Sequence, residues 1–327
     1  MSAAPLRWRD RRRIFSIRDG GAPAWMQSHV QNPCPVVLGD RVRVFVNSRP
    51  SRPGAGTVSL PGYVDLDSAD LGCVIGVSPA PVMDLGGRGC FDEHGCMSSS
   101  VLIVGSELWM YYVGWRRGSS VPYNWCIGLA TSTDGGRTFR RRFRGPVVGP
   151  SLDEPFLQNG CQVLRRAPDD WWMFYSTGRA WLPVGDKWES RYDLTVARST
   201  DGVNWLRSGA PIIPAAHEDE TQTTPALFPV DGGTGMLFST RHSVDFRNAA
   251  RGYRLGFAWS DDLVRWHRDD ARGGLVPGPN GWDAEMTCYP HVFQHRGQSI
   301  LLYAGNGFGA DAFGMAVLDR PEHRSRA

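Results

Sequence analysis

Met110-Tyr111-Tyr112 decides the reading of this chain, because the sequence carries its like five times. The other copies are Arg43-Val44-Phe45, Met173-Phe174-Tyr175, Met236-Leu237-Phe238 and Leu301-Leu302-Tyr303. In chain order, the last residues of the five triplets stand 67, 63, 63 and 65 positions apart. Each triplet follows a short apolar strand and a turn. A fixed period of this length marks a repeat architecture, in which units too small to bury both faces must stack on one another. Five such units in 327 residues fill one ring. The expected fold is all-β, a five-bladed β-propeller in a single domain spanning 1–327, with any ligand site at the mouth of its central channel.

Working outward, each regular copy is followed by a serine–acid turn and then an aromatic: 126–139 (CIGLATSTDGGRTF), 193–205 (DLTVARSTDGVNW) and 254–266 (RLGFAWSDDLVRW). Asp-Gly between β-type runs signals a tight turn, since both residues tolerate positive φ. The closing aromatic is expected to pack between blades, because large rings supply much of the buried area in small β units. The blades fall at about 25–85, 96–142, 160–208, 223–268 and 288–320. Blade one is the least regular, with strands expected at 29–38, 41–47, 56–65 and 71–77, and 48–56 (SRPSRPGAG) reads as a hairpin tip within it. Blade five shows only three strands, so residues 12–17 (RRIFSI), in an N-terminal closing segment of 1–20, are expected to pair with it. An open edge strand is a liability that closure removes.

Composition narrows the function. With 36 basic and 33 acidic residues, the net charge of +3 is close to balance. The basic clusters at 11–13 and 140–144 are short, and no basic stripe or motif suggests a nucleic-acid partner. No run of 18 apolar residues calls for a membrane span. The first 13 residues lack the apolar core of a secretory signal. Seven cysteines without framework spacing fit reduced thiols, and a cytoplasmic location is expected. Cys34, Cys96, Cys161 and Cys288 each open a blade's inner strand. They read as small packing residues, since no Cys/His ligand spacing accompanies them. Neither a metal nor another cofactor is expected, and the sequence does not give the oligomeric state.

The segments just before the inner strands should rim the channel: 28–33 (SHVQNP), 91–96 (FDEHGC), 154–160 (EPFLQNG), 218–225 (EDETQTTP) and 283–290 (DAEMTCYP). Four of the five carry carboxylates. Carboxylates sharing one cavity split their pKa values into an acid and a base, as glycoside hydrolysis requires. Asp92, Glu220 and Glu285 are the expected catalytic set, facing a common cavity. His29, Asn32, His94, Trp115, Trp181, Arg241, Asp283 and Asn306 are the expected substrate contacts, since a sugar offers C–H faces to rings and hydroxyls to polar groups.

These residues carry a resemblance. The series 25–33 (WMQSHVQNP), 91–101 (FDEHGCMSSSV), 108–115 (LWMYYVGW), 192–205 (YDLTVARSTDGVNW) and 282–309 (WDAEMTCYPHVFQHRGQSILLYAGNGFG) resembles the five-bladed glycosidase-like propellers related to glycoside hydrolase families 43 and 32. Within them it is most similar to an uncharacterised branch with FD-x-x-G before blade two and WD-x-EM-x-x-YP before blade five. The resemblance covers the chain from Trp8 to Leu318. It implies an enzyme acting on a glycoside or sugar conjugate by carboxylate acid/base chemistry. Those families place an Asp at the start of blade one as base or nucleophile, where this chain has Asn32, which can serve as neither. Asp92 matches the blade-two acid and Glu220 the later Glu. Two alternatives stay open: a non-catalytic propeller that binds a sugar or metabolite, and a biosynthetic enzyme that reuses the cavity for transfer or elimination.

Overall fold

The computed structural model describes residues 4–52 and 56–319. Five four-stranded antiparallel sheets form the five blades. From the channel outward, blade one is Gln31–Leu38, Arg41–Ser48, Leu60–Asp67 and Val74–Val77. Blade two is Gly95–Val104, Glu107–Arg117, Tyr123–Ser132 and Arg140–Arg141. Blade three is Gln158–Ala167, Asp170–Val184, Lys187–Ser199 and Leu206–Arg207. Blade four is Glu220–Val230, Gly233–His242, Arg254–Ser260 and His267–Arg268. Blade five is Cys288–His295, Gln298–Ala304 and Ala312–Asp319, with Arg7–Ser16 as its outermost strand. The 48–56 tip contains the short hairpin Ser51–Arg52 with Gly56–Thr57, and its residues 53–55 lie outside the described residues.

The N-terminal strand closes the ring, as the short last blade requires. It is longer than residues 12–17, running antiparallel from Arg7 opposite Asp319 to Ser16 opposite Ala312. Phe15 enters the seam between blades five and one beside Phe313 and Val64, while Trp8 joins the seam between blades four and five.

Period-2 alternation fills the seams. In blade one, Val44 and Val46 face blade five while Phe45 faces blade two. Phe139 and Trp266 are buried in inter-blade seams and Trp205 packs against one, which is the packing role expected of the repeated aromatics. The serine–acid turns set the outer strands. Ser132, Ser199 and Ser260 each donate to the acid two positions on, which in turn accepts backbone N–H groups such as those of Arg137, Val203 and Val264.

All seven cysteines are free, five of them buried. Burial pushes Cys34 and Cys161 up to about 12 and Cys126 up to about 11. A thiol reagent should therefore label only Cys73 and Cys90 quickly in the native protein and all seven after denaturation without reductant. Recovering five or fewer from fresh denatured protein would contradict this arrangement.

Candidate functional site

One structural device repeats just before the inner strands. In blade two, the buried Asp92 accepts from Arg141 Nε at 2.6 Å and from the Tyr112 hydroxyl at 3.0 Å. In blade three, Glu154 accepts from the Tyr175 hydroxyl at 2.8 Å and from Arg207 at 3.2 Å. In blade five, Asp283 accepts from the Tyr303 hydroxyl at 2.6 Å and from Arg11 Nε at 2.7 Å. The tyrosines are the last residues of the repeated triplets, and the arginines sit on the outermost strands. Arg11 comes from the N-terminal strand, which thus supplies the same chemistry as the outer strands of blades two and three.

Blade four has Phe238 at the tyrosine position. There Thr240 donates to Glu220 instead, and Arg268 grips both carboxylate oxygens at 2.6 Å. Burial works against the charge on Glu220, yet the Arg268 and Thr240 hydrogen bonds hold its carboxyl down at about 2. Each knot ties an outer strand to the entry of its inner strand.

The expected common cavity of Asp92, Glu220 and Glu285 is therefore not what the fold builds. Asp92 and Glu220 are held in knots of separate blades, and the exposed Glu285 contributes its backbone to the rim, N–H to Asn306 and carbonyl to Arg254. None of the three is among the residues lining the central cavity. Asp283 is in the blade-five knot. Asn306 bonds the backbone of Glu285, Met286 and Gly281. His94 packs on Trp115, and Trp181 lies against Tyr123 outside the lining. His29 bonds Ser28 beside blade one, with burial lowering it to about 4. Of the expected contacts, Asn32 and Arg241 do line the cavity.

The cavity, of about 230 Å³, forms where every inner strand breaks its register. The breaks fall between Gln31 and Cys34, Ser98 and Ser100, Asn159 and Gln162, Thr223 and Ala226, and Cys288 and His291. A bulge re-aims side chains, and here the bulges turn Gln31, Asn32, Asn159, Thr223, Thr224 and Tyr289 toward the channel. Asn32, Thr224 and Tyr289 take positive φ, a strained state for non-glycine residues that concentrates at functional sites. Gly160 also has positive φ, and a Cβ there would collide with Thr223. Bonds between blades hold the ring, among them Thr223 to Asn159 at 2.8 Å and Tyr289 N–H to Ser239 at 2.7 Å.

The walls are aromatic and cationic. Tyr123 stacks on Trp125 with centroids 4.3 Å apart, and Tyr192, Phe246, Tyr253 and Phe308 complete the apolar lining. Arg241 is buried among them, its guanidinium 3.6 Å over the Phe246 ring and bonded to the Tyr192 and Tyr253 hydroxyls at 3.1 and 3.2 Å. No carboxylate pairs with it among the described residues. Arg49 donates to Gln31 at 3.0 Å, but its Nε has no partner, and neither has the Asn32 Oδ1. Arg247 is the third guanidinium, and among the described residues no carboxylate lines the cavity.

One cluster could gather a metal ion: His217, Asp219 and His242, whose ligating atoms lie within 4.8 Å of one another. Both rings bond Asp219, and Arg251 pairs with the same carboxylate, so a cation there would compete with a guanidinium.

No family model matches the chain. Two uncharacterised proteins of Mycobacterium tuberculosis, one from each of two strains, are 31% identical to it over 317 residues, 96% of this chain and 100% of theirs. A 1,2-beta-oligomannan phosphorylase from a Thermoanaerobacter species is 25% identical over 59% of this chain and 57% of its own length. Among solved structures, a glycoside hydrolase superposes with a TM-score of 0.72 at 16% identity, covering 97% of this chain and 94% of that one. A structure from the GH130 family of mannoside phosphorylases gives 0.67 at 16%, covering 97% and 94%. A thermostable family-43 glycoside hydrolase gives 0.67 at 12%, covering 94% of each. The protein is a five-bladed propeller of the glycosidase- and phosphorylase-like class. It belongs to the same family as the mycobacterial proteins.

Proposed function

We propose that the protein processes a glycoside in the central cavity with phosphate as the partner anion, in place of hydrolysis by a carboxylate pair. The observation that carries this reading is the charge of the cavity: Arg49, Arg241 and Arg247 face it, only Arg247 pairs with a carboxylate, Glu189, and among the described residues no carboxylate lines the cavity. Arginine keeps its charge when buried and matches phosphate with paired donors. The 25%-identical phosphorylase supports the same reading. A hydrogenphosphate oxygen bonds to the anomeric carbon as the glycosidic C–O bond breaks, and the proton carried by the hydrogenphosphate ends on the departing oxygen. Arg49 holds the phosphate in the field of the buried Arg241, whose own N–H groups are spent on Tyr192, Tyr253, Ser190, His242 and Ser243, and Trp125 and Tyr123 pack on the ring.

Asn32 in place of an acid favours a second reading, a propeller that binds a phosphorylated sugar without turning it over. Calorimetry with inorganic phosphate and with hexose 1-phosphates should show binding to the wild type. Arg49→Gln should weaken it about tenfold or more, the worth of a charge-assisted hydrogen bond. Phosphate release from a hexose 1-phosphate in the presence of an acceptor sugar separates the enzyme from the binder. Absent phosphate binding, or equal binding by Arg49→Gln, would sink both readings. Hydrolysis of neutral glycosides without phosphate would return the site to the hydrolases.

A further inference from the structure

Beside the central cavity lies a groove of about 320 Å³ between two hairpins. One is the turn of blade two at residues 118–122. The other is the tip of blade three, where Asp170–Val184 and Lys187–Ser199 form the longest hairpin of the ring and, past a register shift between Gly178 and Ala180, stay paired out to Val184 opposite Lys187. Tyr123 and Arg247 line both spaces, so cavity and groove are neighbours across these two side chains. We infer that this groove is a second carbohydrate subsite, taking the sugar unit next to the one in the cavity.

Three observations support it. The cavity is smaller than the ~300 Å³ at which compact ligand sites begin, so a glycoside longer than one unit must leave it. Trp188, at the tip of the long hairpin, lines the groove with 43% of its surface exposed, a ring face open for the C–H face of a sugar. Glu189 beside it is only 7% exposed, and its sole charged partner among the described residues is Arg247, at 2.6 Å. The Arg247 side chain is itself 63% exposed and stacks 4.3 Å over the Phe246 ring. A buried carboxylate and a guanidinium side by side present the acceptors and donors that two neighbouring hydroxyls need. The occupant is thus a neutral sugar ring, in contrast to the anion held at Arg49. Tyr123, fixed by its bond to Ser190 at 2.9 Å and its stack on Trp125, forms the shared wall.

The inference rests on the cavity being a carbohydrate site but not on phosphate chemistry, and one set of proteins separates the two. Wild type, Trp188→Ala and Glu189→Gln are each applied to a glycan array of mono- to hexasaccharides, and each is titrated with inorganic phosphate by calorimetry. The wild type should retain glycans of two or more units at least tenfold better than the matching monosaccharides. Trp188→Ala should lose about tenfold for the longer glycans only, with phosphate binding unchanged, and Glu189→Gln should lose a similar factor for the longer glycans. Trp188 is exposed at a hairpin tip, so its replacement leaves the fold intact, which the melting curve checks. Equal array profiles for wild type and variants, or no glycan retained by the wild type, overturns the subsite. Chain-length preference lost in Trp188→Ala while phosphate fails to bind the wild type would keep the subsite and discard the phosphate reading.

Discussion

Removal of residues 1–18 is expected to lower the melting temperature by about 10 °C, the largest effect of any change considered for this protein. Three losses add. The strand Ala312–Asp319 loses its antiparallel partner and becomes an open edge. The burial of Phe15 in the blade five–one seam, worth roughly 2–3 kcal/mol, disappears. Asp283 and Tyr303 lose Arg11, and a buried carboxylate deprived of its cation costs about 3 kcal/mol or more. A synthetic peptide of residues 4–18 added in trans should recover part of the loss, because strand addition uses the same ladder. A truncated protein that melts with the full chain would disprove closure by this strand.

The second large effect concerns the knots. Glu220→Gln should destabilise the fold by about 3 kcal/mol, or roughly 4 °C in melting temperature, by leaving Arg268 with Asp270 as its only carboxylate partner. Asp92→Asn should act in the same direction through Arg141. Neither change should alter phosphate or glycan binding, since neither residue lines the cavity. The acid limb of stability follows. The folded carboxyl of Glu220 sits at about 2, below the ordinary 4.5, so its contribution is complete above pH 4.5 and is lost as pH falls toward 2. In Glu220→Gln this part of the pH profile should flatten. Loss of ligand binding or turnover in a variant of unchanged stability would instead restore these carboxylates as functional groups.

The fold was legible because it is periodic. The five triplets, the serine–acid turns and the missing fourth strand of blade five each follow from strand alternation and turn chemistry, which are local properties. The strand ends were less so: the closing strand starts at Arg7 because Trp8 and Arg11 find partners on blades four and five, contacts far apart in sequence. The site was legible only in outline. The segments before the inner strands do reach the cavity, but through their last residues, such as Asn32, Gly160, Thr224 and Tyr289. Their acids, three to six positions earlier, turn away.

Convergence of acids at equivalent positions pointed to chemistry, whereas here it reports a structural need shared by four of the five blades. The signal for this was present in the sequence. Phe139-x-Arg141, Trp205-x-Arg207 and Trp266-x-Arg268 place an arginine on the outer strands of blades two, three and four, at the same period as the acids. Arg49, Tyr253 and Glu189 carry no such pattern, because they occur once each and reach their places through loops and hairpin ends.

The knots have an evolutionary consequence. Each secures its own blade at the sheet's flank, so the register breaks facing the channel are relieved of holding the sheet together. Mutation can therefore sample Asn32, whose Oδ1 bonds nothing among the described residues, with little penalty in folding, whereas Asn159 and Thr223 are tied to each other across two blades and would have to change together. A lineage with this division of labour can exchange one ligand for another in few steps, while its scaffold stays recognisable over the whole chain.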